Sequence, residues 1–258
     1  MNKYSYVCLF FLAVFGPLST AQEPEASLTP QQRSELAKAD KLNDEVVELY
    51  SQGEYAAAEK RGEQVLDIRK RILGSHHPDT VQSLNNLAML YYSQNNYEAA
   101  EPLFQQALKI SEKVSGPDHP DTALSLNNLA LLYNAQGDYE AAEPLYKRAL
   151  KIFEEKSGPN HPDTALSLNN LAFLYYSQSN YKAAEPLFRR ALKICEKESG
   201  PDHPDTARSL NNLALLYMSQ ASYKAAEPLF RRALKIYEKE SGLDHPDTAL
   251  GLNNLAFL

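Results

Sequence analysis

The chain has 258 residues and a formal charge of −7, or −8 without Lys3. A mildly acidic balance makes it a poor partner for nucleic acid or for an anionic membrane surface. Its two cysteines are Cys8, close to the N-terminus, and Cys195. If the N-terminal segment is removed, one thiol remains and no internal disulfide can form.

The first element in chain order is a targeting segment. Lys3 precedes an apolar run from Val7 to Leu18, and Ser19-Thr20-Ala21 follows. The run is shorter than the roughly 20 residues that a membrane-spanning helix needs. Small residues at Ser19 and Ala21 fit cleavage before Gln22, so 1–21 reads as a secretory signal peptide and the mature chain as exported, periplasmic or secreted. Residues 22–35 read as a linker. After signal cleavage, no membrane insertion is expected.

From there the chain repeats. His77, His119, His161, His203 and His245 each open a His-Pro-Asp-Thr sequence, and each lies 42 residues from the next. A fixed period of this size marks an array of supersecondary units stacked on one another. The repeats run 76–117, 118–159, 160–201 and 202–243, with an incomplete copy at 244–258 that holds a first helix only. A divergent copy occupies 36–75, because "SQGEYAAAEK" aligns with "AQGDYEAAEP" two periods on.

Each unit reads as two helices, A and B. Leu126, Leu129, Ala130 and Tyr133 follow a 3.6-residue spacing, with Pro120 placed where a first turn tolerates proline. Gly137 ends helix A. Asp138, and its counterparts Asn96, Asn180 and Ser222, stand where the N-cap of helix B belongs. Ala142, Leu145, Tyr146, Ala149, Leu150 and Ile152 form the apolar stripe of helix B. Pro144, repeated at Pro102, Pro186 and Pro228, removes one backbone bond within that helix.

These residues carry a resemblance. Leu126, Leu129, Ala130, Tyr133, Ala142, Tyr146 and Ala149 match the tetratricopeptide signature. The 42-residue variant with "LNNLA", "AAEPL", "RRALKI" and "HPDT" resembles the repeats of kinesin light chains, and equally those of bacterial proteins that borrow them. The resemblance covers 76–258, and 36–75 more weakly. It implies an all-α, right-handed superhelical solenoid that binds a protein or extended peptide in its concave groove and is not itself an enzyme.

Enzymatic readings of the motifs fail on spacing. Successive His-Pro-Asp-Thr copies should lie about 20 Å apart if each repeat adds two helices at 8–10 Å spacing. Metal bonds near 2 Å cannot bridge that distance. Helix initiation accounts for the motif: a cap, a first-turn proline and an aspartate at the positive helix end. No nucleophile–base pair, phosphate loop or Cys–His cluster is present, so no catalytic residue, cofactor or metal is expected. Cys195 aligns with Ser111, Phe153 and Tyr237 and reads as a half-buried spectator thiol.

The adjacent asparagines are different. At about 100° per residue, Asn127 points about 110° and Asn128 about 150° from the core of their own hairpin. The far side of helix A lines the groove in the family resembled. The groove rows are therefore Asn85, Asn127, Asn169 and Asn211, then Asn86, Asn128, Asn170 and Asn212. Beside them lie Met89, Leu131, Phe173 and Leu215, then Tyr92, Asn134, Tyr176 and Met218, then Gln82, Leu124, Leu166 and Arg208. A side-chain amide both donates and accepts, which suits a peptide backbone of any sequence. In kinesin light chains the groove asparagines hold extended cargo, and the resemblance implies that role here. The other reading is a ladder in which the amides bond repeat to repeat.

At the far end, Leu252, Leu255 and Leu258 form an apolar stripe that a capping element would normally cover. Self-association through that stripe is one expectation. A second is that the chain is the N-terminal interaction region of a larger secreted enzyme, for example a caspase-like peptidase.

Overall fold

The computed structural model describes residues 28–240, 242 and 246–258. The expected signal peptide 1–21, the start of the expected linker and His245 lie outside the described residues. Among these residues every regular element is an α-helix, and there are eleven. The chain divides into two compact units, Met1–Gln136 and Gly137–Leu258.

The first unit holds α1 (Pro30–Ser51), α2 (Tyr55–Leu73), α3 (Pro78–Ser93), α4 (Tyr97–Val114) and α5 (Pro120–Gln136). Each helix packs on the next, and α3 also meets α5. The expected linker 22–35 is shorter than the spacing suggested, because α1 already starts at Pro30. Thr29 accepts from the Gln32 amide while the Gln32 side chain accepts from the Thr29 amide, a capping box with proline at the first turn. Val46, Ala58, Leu87 and Leu90 form one core cluster, with Leu66 and Leu103 packed against it.

The second unit holds α6 (Tyr139–Lys156), α7 (Pro162–Ser177), α8 (Tyr181–Glu198), α9 (Pro204–Ser219), α10 (Tyr223–Glu240) and α11 (Pro246–Ala256). Its cores repeat. Ala165, Leu168, Ala191 and Ile194 are matched one period on by Ala207, Leu210, Ala233 and Ile236. Neighbour-to-neighbour burial of this kind is how a two-helix unit hides a stripe it cannot cover alone.

The His-Pro-Asp-Thr motif is a helix-starting loop. Nδ1 of His77, His119, His161 and His203 accepts from the amide two residues on at 3.1–3.2 Å. The motif's threonine hydroxyl donates to the carbonyl of the preceding loop glycine, from Thr80 to Gly74 through Thr248 to Gly242, at 2.7–2.9 Å. That glycine has φ between +88° and +111°, a region L-residues avoid. Each histidine is thus committed as an acceptor, consistent with a structural role. Asn96, Asp138 and Asn180 cap α4, α6 and α8 through their side-chain oxygens. The four internal prolines leave α4, α6, α8 and α10 as continuous 18-residue helices.

Cys195 corrects one expectation. The residue is buried, 5% exposed, and its sulfur lies 3.4 Å from the Ser209 hydroxyl. Burial pushes its thiol pKa up, away from reactivity. Two equivalents in its column also meet the serine of the next helix: Arg69 meets Ser83 and Ser111 meets Ser125. Sequence alignment of the column hides this burial because its chemistry varies freely.

Candidate ligand-binding face

The asparagine rows sit deeper than the helical wheel places them. Asn85, Asn86, Asn127, Asn169, Asn170, Asn211 and Asn212 are buried, and only Asn128 is half-buried. The wheel measures the angle from a residue's own hairpin, whereas the cover comes from the neighbouring repeat's helix. Asn86 Nδ2 donates to Asn43 Oδ1 at 3.1 Å across α1 and α3. Asn254 Nδ2 donates to Asn211 Oδ1 at 2.7 Å across α9 and α11. The two bonds are the same bond at two junctions, from the second asparagine of one repeat to the first of the repeat before. Asn43 belongs to this ladder, and its shift of 42 from Asn85 was the available signal.

The rungs are not all closed. Asn169 turns its amide to the Ser209 hydroxyl at 3.2 Å instead. Its Oδ1 and the Asn212 Nδ2 are both buried and have no partner among the described residues. An unsatisfied buried polar atom costs roughly 1–3 kcal/mol, so α7–α9 is the less settled seam of its unit.

The other predicted rows divide by exposure. In the first unit Met89 and Leu131 are buried, and Gln82, Leu124 and Tyr92 half-buried. In the second, Leu166, Phe173, Tyr176 and Met218 are half-buried, and Leu215 is buried. Phe173 and Tyr176 stack with ring centres 5.9 Å apart, and Tyr176 lies 5.7 Å from Tyr181. The Tyr176 and Ser219 hydroxyls are hydrogen-bonded at 2.8 Å, as Tyr50 and Ser93 are at 3.2 Å. Arg208, the one cation placed in the groove by sequence, folds back onto Asp205 of its own helix at 2.5 Å. Its charge is therefore locally answered and less free for a ligand. The face combines half-open aromatic rings with amides just beneath the surface and little net charge.

A second periodic feature escaped the sequence. Tyr175 donates to Glu143 at 2.8 Å while Lys147 pairs with the same carboxylate at 2.7 Å. One period on, Tyr217 donates to Glu185 at 3.0 Å and Arg189 pairs with it at 2.9 Å. The cation's hydrogen bond, supported by the tyrosine hydroxyl, holds both glutamates below the usual carboxylate range. Tyr91 in the first unit faces Glu59 and Glu63, and burial together with these carboxylates raises its pKa to about 12. Among the described residues no three histidine, cysteine or acidic side chains gather as a metal site. No helix among them is long and apolar enough to cross a membrane.

Paired helices repeated every 42 residues, with the same asparagine bond at one seam in each unit, define a helical-repeat interaction scaffold. The tetratricopeptide repeat model matches 46–113, 95–155, 121–197, 163–239 and 205–258, so the chain belongs to the tetratricopeptide repeat family. Among solved structures it is similar to a Podosopora anserina protein assigned as a kinesin light chain with nearly identical TPR-like repeats. That pair is 26% identical, covers 81% of this chain and 96% of the other, and has a TM-score of 0.58. It shares its fold with BtubC (BKLC) from P. vanneervenii, at 22% identity, 83% and 94% coverage and a TM-score of 0.57. It also shares the fold of a Rap protein complexed with competence and sporulation factor, at 19% identity, 86% and 64% coverage and a TM-score of 0.58. No curated protein matches the chain.

Proposed function

We propose that the chain is an exported, non-catalytic scaffold that captures an extended protein or peptide segment along the exposed faces of its A helices. The observation that carries this is the second unit's aromatic pair, Phe173 stacked on Tyr176, both half-buried on α7, the helix that also carries Leu166 and Asn169. Aromatic rings give such a pair large contact area at little entropic cost. Amides near the surface supply backbone-matching bonds once a ligand displaces water. A Rap protein's complex with competence and sporulation factor is a precedent for ligand capture by the fold. In this reading Asn128 is a ligand contact of the first unit, and Phe173 and Tyr176 are ligand contacts of the second, while Asn86 and Asn211 serve the ladder.

The test is a peptide selected by display against residues 22–258, followed by titration calorimetry with Phe173→Ala and Tyr176→Ala combined. The double variant should lose at least about tenfold in affinity, the scale of one or two binding hot spots. Affinity unchanged in a folded variant would remove the pair from the binding site.

A further inference from the structure

The outer faces of the B helices change charge along the chain. In α8, Lys182, Arg189 and Lys193 are exposed and stand at i, i+7 and i+11. In α10, Lys224, Arg231 and Lys235 repeat the arrangement one period on. At about 100° per residue these offsets fall within about 20° of one line along the helix, and at 1.5 Å per residue the line is about 16 Å long. The same three positions hold Glu98, Gln105 and Lys109 in α4, and Glu140, Lys147 and Lys151 in α6.

The first lysine of each stripe breaks a local rule. Glu98 and Glu140 sit in the first turn, where the helix dipole favours an acid, but α8 and α10 have no acid there and carry Lys182 and Lys224. A charge set against its own helix is a charge whose benefit lies elsewhere. Glu185 and Glu227 answer the two arginines at 2.9 and 2.8 Å. The four lysines enter none of the ion pairs formed among the described residues. This surplus stands out in a chain whose net charge is −7.

We propose that the outward face of α8 and α10 is a docking surface for an acidic protein segment, separate from the groove. Two parallel lines of cations fit a segment that presents carboxylates over about 16 Å, three turns of a helix. Charge complementarity of this kind steers encounter and weakens with salt.

The full chain is titrated into a fluorescein-labelled oligo-glutamate of about twenty residues at about 20 mM salt, read by anisotropy, and again at about 200 mM. Wild type should bind at low salt, and the combination Lys182→Glu, Lys193→Glu, Lys224→Glu and Lys235→Glu should lose at least about tenfold. A control with the same change in net charge, Lys38→Glu, Lys60→Glu, Lys70→Glu and Lys109→Glu, should change affinity by less than about threefold. The stripe variant should melt no lower than wild type, because two of its changes restore an acid to a first turn. Should it not fold, Lys193→Gln with Lys235→Gln gives the same comparison on a milder change. Asn128→Ala should leave this binding untouched, which separates it from the groove. Equal losses in stripe and control variants, no binding by wild type at low salt, or tighter stripe-dependent binding to phosphatidylserine vesicles would each overturn the proposal.

Discussion

The first repeat and the fourth solve one packing problem with different chemistry. In α8, Phe188 fills the hairpin and Cys195 faces the next helix, both buried. At the same two places α2 has Gly62 and Arg69. Gly62 lets the next helix come close: a Cβ there would sit 3.2 Å from a Leu90 methyl and 3.4 Å from a Leu87 methyl. Arg69 is buried but reaches Asp40 at 2.9 Å, Ser83 at 3.1 Å and the Asp79 carbonyl at 3.3 Å. The repeat therefore specifies a volume and a seam, and leaves open whether an aromatic ring or a drawn-in helix fills the one, and a thiol or a guanidinium the other.

The largest way to break the comparison is to exchange the fillings. Phe188→Ala should cost about 3–5 kcal/mol, since a fully buried ring leaves a cavity. Gly62→Phe should not rescue a larger core but destabilise by about 1–3 kcal/mol through overpacking against Leu90. Urea unfolding of both variants measures the pair, and a stable Gly62→Phe would show that the first seam has slack. Next is Arg69→Ala, with an expected loss of about 2 kcal/mol from charged hydrogen bonds and stem packing, held down because Asp40 remains exposed. A loss confined to low salt would mean that the surface part of the pair dominates.

A smaller effect lies in the hairpin turns. Asn95, Ser179 and Ala221 occupy left-handed backbone at φ near +58°, where the third repeat has Gly137. Ala221→Gly should raise stability by up to about 1 kcal/mol, and a lower melting temperature would contradict the strain. The smallest concerns pH. Glu143 and Glu185 have depressed carboxyl pKa values, so their contribution is complete above the ordinary value of 4.5 and fades as pH falls below it. Being partly exposed, each pair should contribute less than about 1 kcal/mol. Glu185→Gln should flatten the acid limb of the stability–pH curve, an effect that equal slopes in the two proteins would refute.

Much of this was legible in the sequence. The period, the helix pairs, the proline-opened helix starts and three of the four hairpin caps follow from local chemistry that depends on a few neighbouring residues. What was hidden depends on the next repeat. Asn86 looks exposed on its own hairpin and is covered by α1. Arg208 looks free and is held by Asp205 three residues earlier. The tyrosine–glutamate–cation groups join residues 32 positions apart in separate helices, where no single-helix pattern reaches. The early start of α1 was readable from Thr29, Pro30 and Gln32, since a capping box is a local signal.

The central claim is that one kind of asparagine does two jobs, joining repeats where it is buried and meeting a ligand where it is half-open. The direct measurement compares Asn86→Ala with Asn128→Ala, each by a melting curve and by calorimetry against the selected peptide. Breaking the Asn86–Asn43 bond should cost about 1 kcal/mol of stability with affinity unchanged. Asn128→Ala should hold or raise the melting temperature, alanine being the better helix former, and lower affinity roughly 2- to 12-fold, the equivalent of one neutral hydrogen bond. The same loss of stability in both variants, with the same affinity as wild type, would make every asparagine a rung and contradict the account.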